Sequence, residues 1–76
     1  MEFAVLGLKR FYSQKSEKNW AVLHVAYQDP QYELGYAVDT LIVDPVVLHG
    51  DFVEGCKVRI DRTPDGKRIL AVTVIN

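Results

Sequence analysis

The run Lys9-Arg10-Phe11-Tyr12 leads into a polar stretch holding Lys15 and Lys18, which ends at Trp20. Cations beside flat rings suit one chemistry well. Lysine and arginine track a phosphate backbone, and aromatic faces stack on unpaired bases. Such stacking is worth about 1–3 kcal/mol per base. Tyr27, Tyr32 and Tyr36 flank the next loop and would extend the platform. Lys57 and Arg59 on the solvent side of a later hairpin, with Arg62, Lys67 and Arg68 at its tip, would add positive charge. The contact residues expected on this basis are Lys9, Arg10, Tyr12, Lys15, Lys18, Trp20, Tyr32, Tyr36, Lys57 and Arg59.

Aromatic residues are also ordinary strand formers, and a small domain has few other large side chains for its core. Phe3 and Phe11 are expected inside on that ground. Tyr32, next to an Asp-Pro turn, is expected outside. Trp20 stays open, because no turn signature fixes the register of the first two strands. Lys15 and Lys18 also suit a merely solvated loop, where Glu17 dilutes their charge.

Other chemistries find little support. The only histidines are His24 and His49, and no serine sits in a G-x-S-x-G elbow. His49 and Asp51 form a lone H-x-D, without Cys or His pairs at zinc spacing. There is no phosphate-binding glycine loop and no dinucleotide fingerprint. His24 reads as a half-buried structural residue, and the single cysteine, Cys56, as a small buried hydrophobe. The expectation is a non-catalytic protein with no metal and no cofactor.

The elements that must position these residues are strands. Phe3 to Tyr12 reads as the first, with Gly7 marking a bend or bulge. Ser13 to Asn19 is a hairpin loop, and Trp20 to Gln28 the second strand. After the Asp29-Pro30 turn, Leu34 to Val43 is the third. Asp44-Pro45 starts a helical turn, with Asp44 as its cap and Gly50 as its stop. Gly55 to Arg62 and Arg68 to Ile75 are the last two strands. Thr63-Pro64-Asp65-Gly66 between them predicts a three-residue hairpin. That loop sets Arg62 against Arg68, Ile60 against Leu70, Val58 against Val72 and Cys56 against Val74, forming a core face. Lys57, Arg59 and Asp61 then lie on the opposite face.

Seventy-six residues predict one domain over residues 1–76. A chain this short buries about 60% of its unfolded surface, so self-association would help it. Hydrophobic residues make up 49%, enough for a core. Nine Lys and Arg against ten Asp and Glu give a net charge of −1. Polyanion binding then requires those charges to be sorted by face. The single cysteine fits a reducing cytoplasm, and Met1 to Arg10 lacks a basic leader before its apolar run. No apolar run approaches the roughly 20 residues of a membrane span.

Three strands, a short helical turn and a closing hairpin predict an all-β fold, a five-stranded, partly open OB-like barrel. An SH3-like barrel is its competitor. The sequence resembles the small single-stranded-DNA-binding proteins of filamentous phages and mobile elements. The resemblance rests on the polar hairpin SQKSEKN, the restart Trp20-Ala21-Val22-Leu23, and the aromatic loop QDPQYELGYAV. A terminal hairpin with Gly55, Val58, Ile60, Asp65 and Gly66 completes it. It spans nearly the whole chain with a loose pattern. It implies an OB-like homodimer that coats single-stranded DNA during replication, with contacts at Lys15, Lys18, Trp20, Tyr32 and Tyr36. The competing expectation is a protein-interaction module, a phage or plasmid accessory or inhibitor protein, since interface hot spots are rich in aromatics.

Overall fold

Alternation across the pleat and two bulges decide which side chains face inward. The computed structural model describes residues 2–75. Its strands are β1 (Phe3–Ser13), β2 (Lys18–Tyr27), β3 (Ala37–Val43), β4 (Leu48–His49), β5 (Lys57–Arg62) and β6 (Ile69–Val74). On β2, Ala21, Leu23 and Val25 point inward and are fully buried. Trp20, Val22, His24 and Ala26 take the other face, as period-two geometry requires. β1 pairs antiparallel with β2, and β2 with β3 from Ala21↔Val43 to Tyr27↔Ala37.

The bulge expected at Gly7 is present, and its consequence reaches far along β1. Val5 pairs with Val25 and Gly7 with His24, which leaves Leu6 without a partner. An extra residue reverses the phase of everything beyond it. Phe3 and Val5 are inward before the bulge, and Leu8 is inward after it. Phe11, expected in the core, therefore lies opposite Trp20 on the outer face and is 40% exposed.

The hairpin of β5 and β6 carries a second phase change. Gly66 N–H donates to Thr63 O at 2.8 Å, closing the expected turn, and Gly66 has φ of 75°. Thr63 N–H, however, bonds to Arg68 O at 3.0 Å, so the loop holds four residues rather than three. The Asp65 carboxylate explains the extra residue. It accepts the Thr63 hydroxyl and the Lys67 N–H, drawing Lys67 into the turn, and Arg68 N–H donates to Thr63 Oγ1 at 3.2 Å. Arg62 then pairs with Ile69 and Asp61 with Ala71, so Leu70 is bulged. Beyond it Ile60 faces Val72 and Val58 faces Val74, a two-residue shift from the expected pairing. An even shift preserves the face, so these valines stay inside. Between the tip and the bulge the phase flips: Ile69 packs on the core and Leu70 is 57% exposed.

The five-stranded OB-like barrel is not what forms, and neither is a closed SH3-like one. The strands make a six-stranded mixed sheet in the order β3-β2-β1-β5-β6-β4, open at β3 and β4. The physical reason lies after Val43. The expected helical turn forms as a single 3₁₀ turn, Pro45–Val47, capped by Asp44 Oδ1 accepting from Val46 N–H at 3.1 Å. The chain next forms β4, which pairs in parallel with β6 at Leu48↔Val72 and His49↔Thr73. That pairing uses the β6 edge that β3 would need to close a barrel.

The sheet nonetheless curls. Leu41 and Val43 from β3 share one buried cluster with Val5, Leu23, Val25, Cys56, Val58 and Val72. In a flat sheet β3 and β6, four strand spacings apart, would be separated by about 19 Å, too far to meet. The 3₁₀ turn touches both β2 and β6 and bridges the gap. β1 and β5 share only two ladder pairs, Phe3↔Val58 and Ala4↔Lys57, supported by Val5 N–H donating to Cys56 O at 2.8 Å. His24 is half-buried, with Nδ1 3.0 Å from Thr40 Oγ1. Among the described residues no helix is long and apolar enough to cross a membrane.

One glycine is required by space as well as by backbone. Gly50 has φ of 104°, and a Cβ there would lie 2.9 Å from Val74 Cβ. Gly50→Ala is expected to lose about 1–3 kcal/mol in a denaturant titration. A midpoint equal to wild type would mean that the loop does not press on β6 there.

Candidate nucleic-acid interface

The open side of the sheet leaves a groove where β3 and the 3₁₀ turn face the tip of the β5–β6 hairpin. Its volume is about 660 Å³. Ile42, Val43, Val46 and Val47 line one wall, and Ile69 and Leu70 the other. Leu70 reaches it because the bulge turns that side chain out of the core. Arg62, Lys67 and Arg68 approach from the hairpin, and Lys18 and Trp20 from β2. Asp44 is the one carboxylate among the described lining residues.

Register builds the Trp20 end of the groove. Lys18 and Trp20 are two residues apart on one strand and share a face. Lys18 Nζ sits 4.6 Å from the centre of the indole ring, a cation–π contact. The indole N–H donates to Ser16 Oγ at 3.0 Å and fixes the ring in its plane. The pair Ala21↔Val43 brings Asp44, the next residue along, beside Trp20. Asp44 Oδ2 then lies 2.7 Å from Lys18 Nζ. The Lys18 hydrogen bond, and after it the Val46 N–H, hold the Asp44 carboxyl below the usual 3.8. The Asp65 carboxyl is also lowered, first by the Thr63 hydroxyl and then by the Lys67 N–H. Both are ionised at neutral pH.

Formal charge in the groove is four cations less one carboxylate, or +3. The whole chain carries −1, so the remainder holds −4. The other five cations, Lys9, Arg10, Lys15, Lys57 and Arg59, do not line the groove, and Asp65 stands at the hairpin tip, accepting from Lys67 N–H. Among the described residues no ion pair engages Arg62, Lys67 or Arg68.

The other expected contact residues scatter. Lys15 is exposed in the loop of the first hairpin and does not line the groove. Lys9 lies opposite Val22 on the outer face, while Arg10 and Tyr12 lie opposite Ala21 and Asn19 on the other. Both are exposed where β1 runs past β5. Tyr32 and Tyr36 are 52% and 59% exposed, in the loop beyond the far end of β2. The seven-residue step from Trp20 to Tyr27 spans about 23 Å, so no single platform joins Trp20 to these tyrosines. Tyr36 instead lines a second depression with Leu6, Tyr27 and Lys57. Lys57 lies 3.8 Å from Glu2, and Arg59 lies 3.6 Å from Asp61.

Of the ten residues expected from sequence, the groove gathers Lys18 and Trp20. The hairpin-tip cations, expected as added positive charge, join them there, together with Asp44 and the aliphatic walls. Asp44 reads from sequence as a cap, which it is; its pairing with Lys18 depends on the β2–β3 register and has no local signal. Among the described residues, no three His, Cys, Asp or Glu side chains are grouped to hold a metal ion. No family model, curated protein or solved structure matches the chain.

Proposed function

We propose that this protein binds single-stranded DNA, without catalysis and without strong sequence preference, along the groove between β3 and the β5–β6 hairpin. The observation that carries the reading is that Lys18, Arg62, Lys67 and Arg68 line one groove with Trp20, with Asp44 the one carboxylate among the described lining residues. The cations neutralise phosphates and release counterions, the half-buried indole offers a face to a base, and Ile42, Val46 and Leu70 exclude water from the contact. The acidic remainder repels a polyanion and so directs it to the groove. A buried free thiol at Cys56 suits action in a reducing cytoplasm.

The test is a titration with oligo(dT) of about 16 nucleotides. Trp20 is the only tryptophan, so its emission reports the groove alone. Expected are quenching and a log–log salt slope near −2, from three available cations at about −0.7 per phosphate on single strands. Unchanged emission and mobility at saturating oligonucleotide and low salt would remove the reading.

A protein-interaction module is the second reading, favoured by the free edge of β3. Val38 and Ile42 are each 62% exposed on that strand. Asp39 Oδ1 accepts Thr40 N–H at 2.8 Å, covering one edge donor and leaving others for an added strand, including that of a second copy. A stoichiometric protein partner that survives nuclease treatment, or a dimer in sedimentation lost with Ile42→Lys, supports it.

A further inference from the structure

The geometry points to a one-nucleotide subsite at Lys18 and Trp20 that the protein's own Asp44 carboxylate occupies in place of a phosphate. The inference rests on the reading of the groove as a single-strand site and says how that site is tuned. Two contacts converge on Lys18. Its ammonium is 2.7 Å from Asp44 Oδ2 and 4.6 Å from the Trp20 ring centre, inside a groove whose other charged lining residues are all cations. A carboxylate oxygen on a lysine ammonium occupies the place of a phosphate oxygen. The ammonium in turn lies over the ring face on which a base would stack. Asp44 therefore holds both halves of the subsite, the cation directly and the ring through Lys18.

An incoming strand must exchange partners there. Its phosphate takes Lys18 from Asp44, the lysine swings off the indole, and a base takes the exposed face. The exchange returns no net ion pair, because one anion replaces another on the same ammonium. Asp44 then remains unpaired in a site filled with phosphate. Lys18 thus adds little to the affinity of the wild-type protein, and binding is carried by Arg62, Lys67 and Arg68. The separation of roles is visible in the ion pairs: Lys18 is neutralised within the groove and the three hairpin cations are not.

Asp44 also caps the 3₁₀ turn through Oδ1. Asp44→Asn keeps an acceptor for Val46 N–H and removes the charge, since asparagine is as good a cap as aspartate. It is expected to bind oligo(dT) about fivefold more tightly at low salt. The log–log salt slope should steepen by about 0.7, as Lys18 becomes available to one more phosphate. Asp44→Ser, which caps but cannot hold the ammonium, should act in the same direction. The charge-matched control is Asp29→Asn, beyond the far end of β2, where Oδ1 accepts Gln31 N–H at 2.9 Å and asparagine can do the same. It should change affinity by less than about twofold, since its charge is screened from the groove. If Asp44→Asn tightens binding no more than Asp29→Asn does, or leaves the slope at its wild-type value, the subsite is wrong while the groove stands. If wild type and Asp44→Asn alike leave the oligonucleotide unshifted and Trp20 emission unchanged, the groove reading fails and the subsite with it. Binding by Asp44→Asn alone would support the inference in its strongest form.

Discussion

Val58→Asp is expected to abolish the folded state. Val58 is 0% exposed, lies opposite Phe3 and Val74, and belongs to a wholly apolar cluster. A carboxylate there has no cation to meet, and an unpaired buried charge costs about 3–5 kcal/mol. A chain of 76 residues has about 4–11 kcal/mol of stability in total. The position aggravates the loss, because β1 and β5 are joined by only two ladder pairs and one of them is Phe3↔Val58. Losing that junction separates the β1–β2–β3 meander from the β5–β6 hairpin. Collapse of amide dispersion in a proton–nitrogen correlation spectrum is the expected result. Val58→Ala should be milder, because it leaves only a cavity. A soluble Val58→Asp variant with the wild-type melting midpoint would place residue 58 on the solvent face and overturn the register of the hairpin.

Lys67→Glu with Arg68→Glu should weaken oligonucleotide binding about 100-fold at low salt. Both residues are exposed, line the groove, and come from a tip whose shape is set by Thr63, Asp65 and Gly66. Their own contribution to the turn is through backbone N–H and C=O groups, which the substitutions keep. Stability should therefore move by less than about 0.5 kcal/mol. The salt slope should flatten by about 1.4, two phosphates at about 0.7 each. Lys15→Glu, in the first hairpin loop and outside the groove, serves as the contrast and should have a much smaller effect. Equal affinity of the double variant and wild type, measured by anisotropy with a labelled oligo(dT), would exclude the hairpin tip from the site. A loss shared equally with Lys15→Glu would mean that binding follows net charge rather than this groove.

Features set by neighbours along the chain are legible in the sequence. The Thr63–Gly66 turn, the bulge at Gly7, the cap at Asp44 and the buried valines of the last hairpin each depend on neighbours a few residues away. Legibility ends where one local event propagates. A bulge adds one residue, and parity beyond it reverses, so Phe11 leaves the core and Leu70 leaves with it. The loop of four residues in place of three has the same origin: the Asp65 carboxylate takes two donors and lengthens the turn. The candidate site suffered more than the fold. Lys18 and Trp20 were legible as a cation beside a ring, but their companions come from the hairpin tip, across a gap that no spacing along the chain reveals.

By itself the order of residues determined an all-β chain, most of its strands and turns and the faces of its core valines, because alternation and turn chemistry act over short range. Only the tertiary structure decided that the sheet stays open, that β4 takes the β6 edge ahead of β3, and that Lys18 and Trp20 line one groove with the residues of the hairpin tip. Those outcomes are competitions between distant segments for the same hydrogen-bonding edge or the same space. Each segment satisfies its own local preferences whichever way the competition ends, so the result is written in the packing and not in any stretch of sequence.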